Sequence, residues 1–300
     1  MDLPASISGL EEQLRGDGEI VPDPALFSDP QVFAAERERI FQRSLIALDH
    51  ETRLSENCRW FRCDAAPRSI LVTRDAGGRL CALRNVCIHA GYPVCEAAEG
   101  SAERLMCPYH GWEYALDGRL VEPELSSRID PSRLRLPSYP IRILNGLIFL
   151  EPPGATANEA KSAGSVPAWV TTARVARRAR HSTNWNWKLL RHFLQSSRSL
   201  FLDGSAGDCY EFGALSLLFA QSRRAVLIRI IPKFAEQTDF EVIELATGDS
   251  PCTAEPATDV DAVANRVQEA GTSASWFDRD AAGWYWSLIS AGEKEPQGAD

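Results

Sequence analysis

Two short segments constrain this chain more than anything else in it: Cys87-Ile88-His89 and, after seventeen intervening residues, Cys107-Pro108-Tyr109-His110. Each supplies one thiol and one imidazole. That even division suits a [2Fe-2S] cluster in which two thiolates hold one iron and two neutral imidazole nitrogens hold the other. Replacing two anionic ligands raises the reduction potential to roughly −150 to +300 mV, against about −400 mV for all-cysteine plant-type clusters, so such a centre readily takes up single electrons. The competing chemistry is a structural zinc site with two cysteines and two histidines in one tetrahedral shell. Zinc ribbons and fingers usually set two cysteines close together, whereas here each cysteine is paired with a histidine and flanked by Pro108, Gly111 and Trp112. Cys87, His89, Cys107 and His110 are therefore the expected cluster ligands.

The rest of the chain sets the frame. With 300 residues, 44% of them hydrophobic, it can build two cores. A formal net charge of −9 argues against a nucleic-acid partner, which would need a basic face. Apolar runs such as Leu147–Leu150 and Ala225–Ile231 fall far short of the roughly 18 to 20 residues that cross a bilayer. Residues 1–18 lack a basic start followed by an apolar run, so the expectation is a cytoplasmic protein whose thiols stay reduced. Cys58, Cys63, Cys81, Cys95, Cys209 and Cys252 read as ordinary thiols.

Residues 1–44 read as an arm with a short amphipathic helix, Phe33, Ile40 and Phe41 on one side and Glu36, Arg37 and Glu38 elsewhere. Residues 45–152 show short β-prone runs at 69–73, 79–85 and 141–150, punctuated by AGG, DG, NG and PPG, which is the texture of a small all-β domain. Residues 153–166 are small and polar, a connector. Residues 167–300 read as α+β: a helix at 185–199, strands at 213–221, 224–232 and 240–246, a hairpin turn at KFAEQT, a helix at 259–269 and a frayed tail from 292.

NVCIHAGYPVCE (85–96) and CPYHGWEYALDGRLV (107–121) resemble the two ligand loops of the large (alpha) subunits of Rieske non-haem iron, aromatic-ring-hydroxylating oxygenases. The resemblance extends to PALFSDPQVFAAERERIFQRS (24–44), HSTNWNWKLLRHFL (181–194), IRIIPKFAEQTDFEVIELA (228–246) and DVDAVANRVQEAG (259–271). Ala90 departs from it, since arginine commonly follows the ligand histidine in that family. The resemblance implies an all-β Rieske [2Fe-2S] domain followed by a shortened helix-over-antiparallel-sheet (helix-grip, START-like) domain. It also implies a ferredoxin or flavin reductase as electron donor, a trimer-based oligomer with an oxygenase subunit, and an aromatic or other apolar small-molecule substrate.

The same resemblance implies a second iron, held by two histidines and a carboxylate, and there the chain departs from the pattern. Matching Asn186-Trp187-Lys188 and Phe193 to the family places Gln195 at the acidic position, Arg198 at the first histidine and Asp203 near the second, with a one-residue deletion between Lys188 and Phe193. Asp259 or Asp261 falls at the carboxylate. Of five histidines, two belong to the cluster loops and only His192 follows Trp187. Arg198 would set a fixed cation where a divalent metal should sit. The mononuclear iron site is thus expected to be degenerate. His192, roughly 130° around the helix from the Leu189, Leu190, Phe193, Leu194 face, reads as a solvated or interface histidine, and His50 likewise. Tryptophans 185, 187, 276, 284 and 286 read as core or subunit contacts. The run Arg174, Arg177, Arg178, Arg180 reads as a solvated face or one paired with acids.

The expected function is an oxygenase-system subunit that relays electrons to, or scaffolds, an active partner. One alternative is an active oxygenase with a remodelled iron site drawing on His181, His192, Asp203 or Asp259. Others are a redox-sensing ligand-binding module, and a shifted reading frame across 190–215. No GxGxxG segment is present, so reducing equivalents are expected from another protein.

Overall fold

The structure is a computed structural model; it describes residues 3–65, 68–121, 134–152, 166–201, 207–247, 265–267 and 277–291. The expected connector, apart from Val166, lies outside these residues. So do the tail, Cys252, Trp276, Asp203, Asp259, Asp261 and all of the expected helix at 259–269 except 265–267, which are helical.

The first half is built from short antiparallel strands: β1 (Ile46–His50), β2 (Arg59–Ala65), β3 (Arg68–Arg74), β4 (Leu80–Arg84), β5 (Glu99–Ser101), β6 (Arg104–Met106), β7 (Glu113–Ala115), β8 (Ser138–Tyr139), β9 (Ile141–Leu144) and β10 (Leu147–Leu150). They form a five-stranded sheet ordered β5-β2-β3-β4-β8, a three-stranded sheet β1-β10-β9 and the hairpin β6-β7. The central strand β3 is apolar without alternation because both its faces are covered: Ile70 and Val72 enter one core and Leu71 the other. The run 141–150 folds as two strands because Asn145 and Gly146 both take positive φ, 47° and 80°, the two-residue turn that Asn-Gly favours.

His50 differs from expectation. It is fully buried, its Nδ1 2.8 Å from the Thr52 hydroxyl and its Nε2 2.9 Å from the Val170 carbonyl, so it ties β1 to the segment that leads into the second half. With Nε2–H donating to Val170 and Nδ1 accepting from Thr52, the ring is satisfied only when neutral. Burial holds its pKa below the usual 6.5, against the opposing pull of the Val170 carbonyl, Glu51 and Asp49. The unfolded chain then binds a proton that the native ring refuses, so stability is complete above about pH 6.5 and falls below it, by up to about 1.4 kcal/mol per pH unit until the native ring titrates. Urea midpoints at pH 7.5 and 5.5 should show this loss, and His50→Asn should flatten it.

The second half is an antiparallel sheet in the order β11-β15-β14-β13-β12, made of β11 (Arg174–Thr183), β12 (Asp208–Phe212), β13 (Ser216–Gln221), β14 (Arg224–Phe234) and β15 (Gln237–Ala246). Strands β14 and β15 form the hairpin expected at KFAEQT. One face carries Leu217, Phe219, Val226, Ile228, Ile230, Phe240 and Val242, and it packs in a common core with helices α1 (Ala5–Arg15), α2 (Ala25–Ser28), α3 (Pro30–Glu36), α4 (Trp187–Ser196) and α5 (Arg279–Ala291). The other face, with Leu218, Leu227, Ile243 and Leu245, packs on Leu45, Ala47, Leu147 and Phe149 of the first half. Asn186 starts α4 by accepting from the Lys188 amide, and its own amide donates to the Phe27 and Ala235 carbonyls, so the helix is capped and anchored by one residue. Trp185 and Trp187 are core residues, Trp284 and Trp286 half-buried.

Charges join the layers. Arg178 pairs with Asp49, and Arg180 with Asp64 and Asp239, each at 2.7 Å, so the arginine run of β11 meets acids of its own chain. Buried Arg229 pairs with Glu241 and donates to the carbonyls of Ala47 (2.8 Å) and Asp64 (2.5 Å), stapling β1 and β2 to β14. Glu36, expected on a polar side, is fully buried 2.5 Å from the equally buried ammonium of Lys188. Arg191 is buried under Trp284, 4.7 Å from the ring centroid, and reaches Glu211 on β12. Among the described residues, no helix is long and apolar enough to cross a membrane.

Candidate metal centre

The four expected ligands come from two loops, one between β4 and β5 and one between β6 and β7. The loops are built alike. In the first, the Cys87 amide donates to the Tyr92 carbonyl (2.7 Å) and the Gly91 amide to the Cys87 carbonyl (2.9 Å); in the second, Cys107 donates to Trp112 (2.8 Å) and Gly111 to Cys107 (2.9 Å). Gly91 and Gly111 both sit at φ 73°, left-handed backbone that closes each knuckle without a Cβ penalty. The histidines differ in offset, two residues after the cysteine in the first loop and three in the second.

The thiols point inward and the imidazoles outward: Cys87 and Cys107 are 2% and 1% exposed, whereas His89 and His110 lie on the surface with ring centroids 4.7 Å apart. Around the imidazoles is a bed of rings. His89 stacks on Trp112 at 4.6 Å, and Tyr92 stacks on Tyr109 at 5.3 Å across the two loops. Burial alone would push the Cys87 thiol up, but the Tyr114 hydroxyl 3.1 Å from its sulfur, the amides of His89 and Ala90, and neighbouring Cys107 bring its pKa below the usual value. The sulfur is thus prepared to be a thiolate. Among the described residues no three His, Cys, Asp or Glu side chains gather around one point that could hold a single ion. The four candidates fall into a buried thiol pair and an exposed imidazole pair, which fits a two-iron cluster with two ligands per iron better than a tetrahedral zinc.

Tyr114 was not visible as a site residue in the sequence. It is fully buried; its oxygen accepts from the Ile88 amide at 3.3 Å and lies against Cys87 Sγ, and burial together with Cys87 raises its pKa, keeping the proton available for donation to sulfur. A hydrogen bond to a ligand sulfur stabilises the more negative, reduced state. In the cluster-loaded protein Tyr114→Phe should lower the midpoint potential by about 60 mV, the one-electron equivalent of roughly 1.4 kcal/mol, in an EPR-monitored redox titration.

Residues 45–140 match the Rieske [2Fe-2S] domain family. Over 96 residues the chain is 38% identical to the N,N-dimethyl phenylurea N-demethylase subunit alpha of Sphingobium sp., covering 32% of this chain and 21% of that protein. It is 35% identical over 109 residues to the glycine betaine monooxygenase oxygenase subunit of Chromohalobacter salexigens, covering 36% and 24%. The chain contains a Rieske [2Fe-2S] domain and is similar there to Rieske oxygenase alpha subunits. The match spans only about a quarter of the length of these curated relatives. The fold is shared more widely: the quaternary ammonium Rieske monooxygenase CntA with γ-butyrobetaine superposes with a TM-score of 0.69 at 17% identity over 90% of this chain and 94% of that one. Naphthalene 1,2-dioxygenase from Rhodococcus sp. with indole superposes at 0.65 and 17% over 96% and 86%.

The positions that the resemblance matches to the second iron's acidic residue and first histidine lie at the end of α4. There His192 and Gln195 are half-buried on α4, and Arg198 is exposed just beyond it, its Nε donating to the Gln195 carbonyl at 3.3 Å. His181 lies on β11 opposite Phe240, on the helix-covered face, with its ring centroid 5.3 Å from that phenyl and its buried Nε2 lacking a hydrogen-bond partner. Half-buried Cys209 stands on the same face and is pushed up to about 11 by burial and Glu211, so it is a protonated thiol at neutral pH.

Proposed function

We propose that Cys87 and Cys107 hold the inner iron and His89 and His110 the outer iron of a Rieske cluster, and that the chain passes single electrons between a separate protein donor and an oxygenase partner. The observation that carries this reading is the orientation of the two loops: thiols in the core, imidazole edges at the surface. When bound, the cluster would supply one-electron storage. The protein's own part is to exclude water from the sulfurs, to hold Cys87 with the Tyr114 hydroxyl and two loop amides, and to present His89 and His110 where a partner can approach. A ferredoxin or flavin reductase is the class of donor that fits, and a quaternary ammonium Rieske monooxygenase that shares the fold is described in terms of inter-subunit electron transfer. On α4 the position matched to the family's acidic residue holds Gln195, an uncharged amide, and just beyond the helix the position matched to the first ligand histidine holds Arg198, a cation, which supports relay or scaffolding over oxygen activation by this chain.

His181 favours a second reading. A buried imidazole nitrogen without a partner, on the helix-covered face of the sheet, is a candidate ligand for a remodelled iron site. Iron and acid-labile sulfide on protein purified without oxygen separate the two. The relay reading expects two irons and two sulfides per chain with a Rieske EPR spectrum; a reproducible third iron that disappears in His181→Ala would replace it with the oxygenase reading.

A further inference from the structure

The two ligand loops are closed inside by the same pair of backbone hydrogen bonds, but they are closed outside by different means. The second loop emerges from a ladder, with Met106 opposite Glu113 and Leu105 opposite Tyr114. The first does not: β4 ends at Arg84, β5 begins at Glu99, and residues 85–98 belong to no strand. Where the rungs would be, one side chain takes their place. The Asn85 amide accepts from the Cys95 N–H through Oδ1 at 2.9 Å and donates through Nδ2 to the Cys95 carbonyl at 2.8 Å, so it satisfies both backbone groups of one residue as a neighbouring strand would. The geometry is fixed from behind: the Asn85 N–H donates to the Ser69 carbonyl on β3 at 2.9 Å, and Nδ2 also reaches the Ser69 hydroxyl at 3.3 Å. Asn85 is 2% exposed, so water offers no substitute for these bonds.

We infer that Asn85 is a positioning residue for the cluster: its amide replaces a strand at the mouth of the first loop and thereby sets where Cys87 and His89 stand. The second loop needs no counterpart because β6 and β7 already hold its two ends. This explains why a loop of nine residues between Asn85 and Cys95 can present two ligands on one side while lacking regular structure of its own. The inference rests on the cluster assignment above.

The test uses the cluster-loaded full chain. In the wild type, mass-detected hydrogen exchange should find the Cys95 amide as slow as that of Cys63 in β2, although Cys95 belongs to no strand. Asn85→Leu keeps the volume and removes both bonds; exchange at Cys95 should become about 10-fold faster or more, and the EPR spectrum and midpoint potential of the cluster should move. Val72→Ala, in β3 but in the core that faces away from the loops, should lower thermal stability and leave spectrum and potential unchanged. If Asn85→Leu behaves like Val72→Ala, losing stability alone, the positioning role is overturned while the cluster assignment stands. Should Asn85→Leu fail to fold, loop-like fast exchange at Cys95 in the wild type overturns it equally, and sheet-like exchange upholds it. A wild-type chain that binds neither iron nor sulfide overturns the assignment and the inference together.

Discussion

Replacing Glu36 with alanine is expected to destabilise the protein by about 3–5 kcal/mol, the usual range for removing one partner of a buried ion pair. Glu36 is the only carboxylate that the structure places against the fully buried Lys188 ammonium, at 2.5 Å among the described residues, and it also accepts from the Trp187 indole at 2.8 Å. Around the ammonium stand the rings of Tyr285, Trp187 and Phe27, at 5.0, 5.4 and 5.5 Å. Those faces lessen the loss, yet they cannot replace a counter-ion. Burial already draws the Lys188 pKa down against the pull of Glu36, so without Glu36 the lysine must lose its proton or the site must open. The helix would loosen from the arm, because α3, α4 and α5 meet at this pair. Urea unfolding of Glu36→Ala, Lys188→Met and the combined Glu36→Leu/Lys188→Met protein completes the experiment. Each single change should be strongly destabilising and the double change far less so, because it removes both charges from the core. Additive losses would show that the pair is not coupled.

Cys107→Ser is expected to abolish cluster binding altogether, with iron and sulfide falling from two each per chain to near zero. A serine hydroxyl stays protonated at neutral pH and does not replace a thiolate on iron, and one iron cannot be held by Cys87 alone. The loss reaches beyond the site, since metal ligation contributes to folding free energy where the ligands are brought together only in the native state. Cys107 lies in the small core with Leu71, Leu83, Cys87, Leu105, Tyr114 and Leu136, so the melting temperature of the first half should fall with the iron. His192→Ala supplies the contrast: on the relay reading it leaves both irons and both sulfides in place. Retention of a full Rieske spectrum in Cys107→Ser would sink the ligand assignment.

What could be read from the sequence was local. The two ligand loops place chemically specific residues two and three positions apart, and the knuckle glycines Gly91 and Gly111 stand four residues after each cysteine, so their chemistry survives translation into a one-dimensional pattern. The hairpin of β14 and β15 and the α+β character of the second half were legible for the same reason: strand periodicity and turn residues act over a few positions. Strands β1, β2, β11 and β12 and helices α1 and α5 were not read as elements, since short runs and an arginine-rich edge give weak periodic signals. Tertiary structure alone decided the fate of the charges. Glu36 and Lys188 are 152 residues apart, and Arg229 and its acceptor Ala47 are separated by 182; each of the three charges looks solvated until the partner layer arrives. His50 looked solvated for the same reason, its acceptor Val170 lying 120 residues away. Asn85 and Tyr114 show the limit most clearly. Both lie within or beside the ligand loops, yet what they do depends on which backbone groups and which sulfur the folded chain sets against them, because a hydrogen bond is fixed by distance and direction, and a sequence specifies neither.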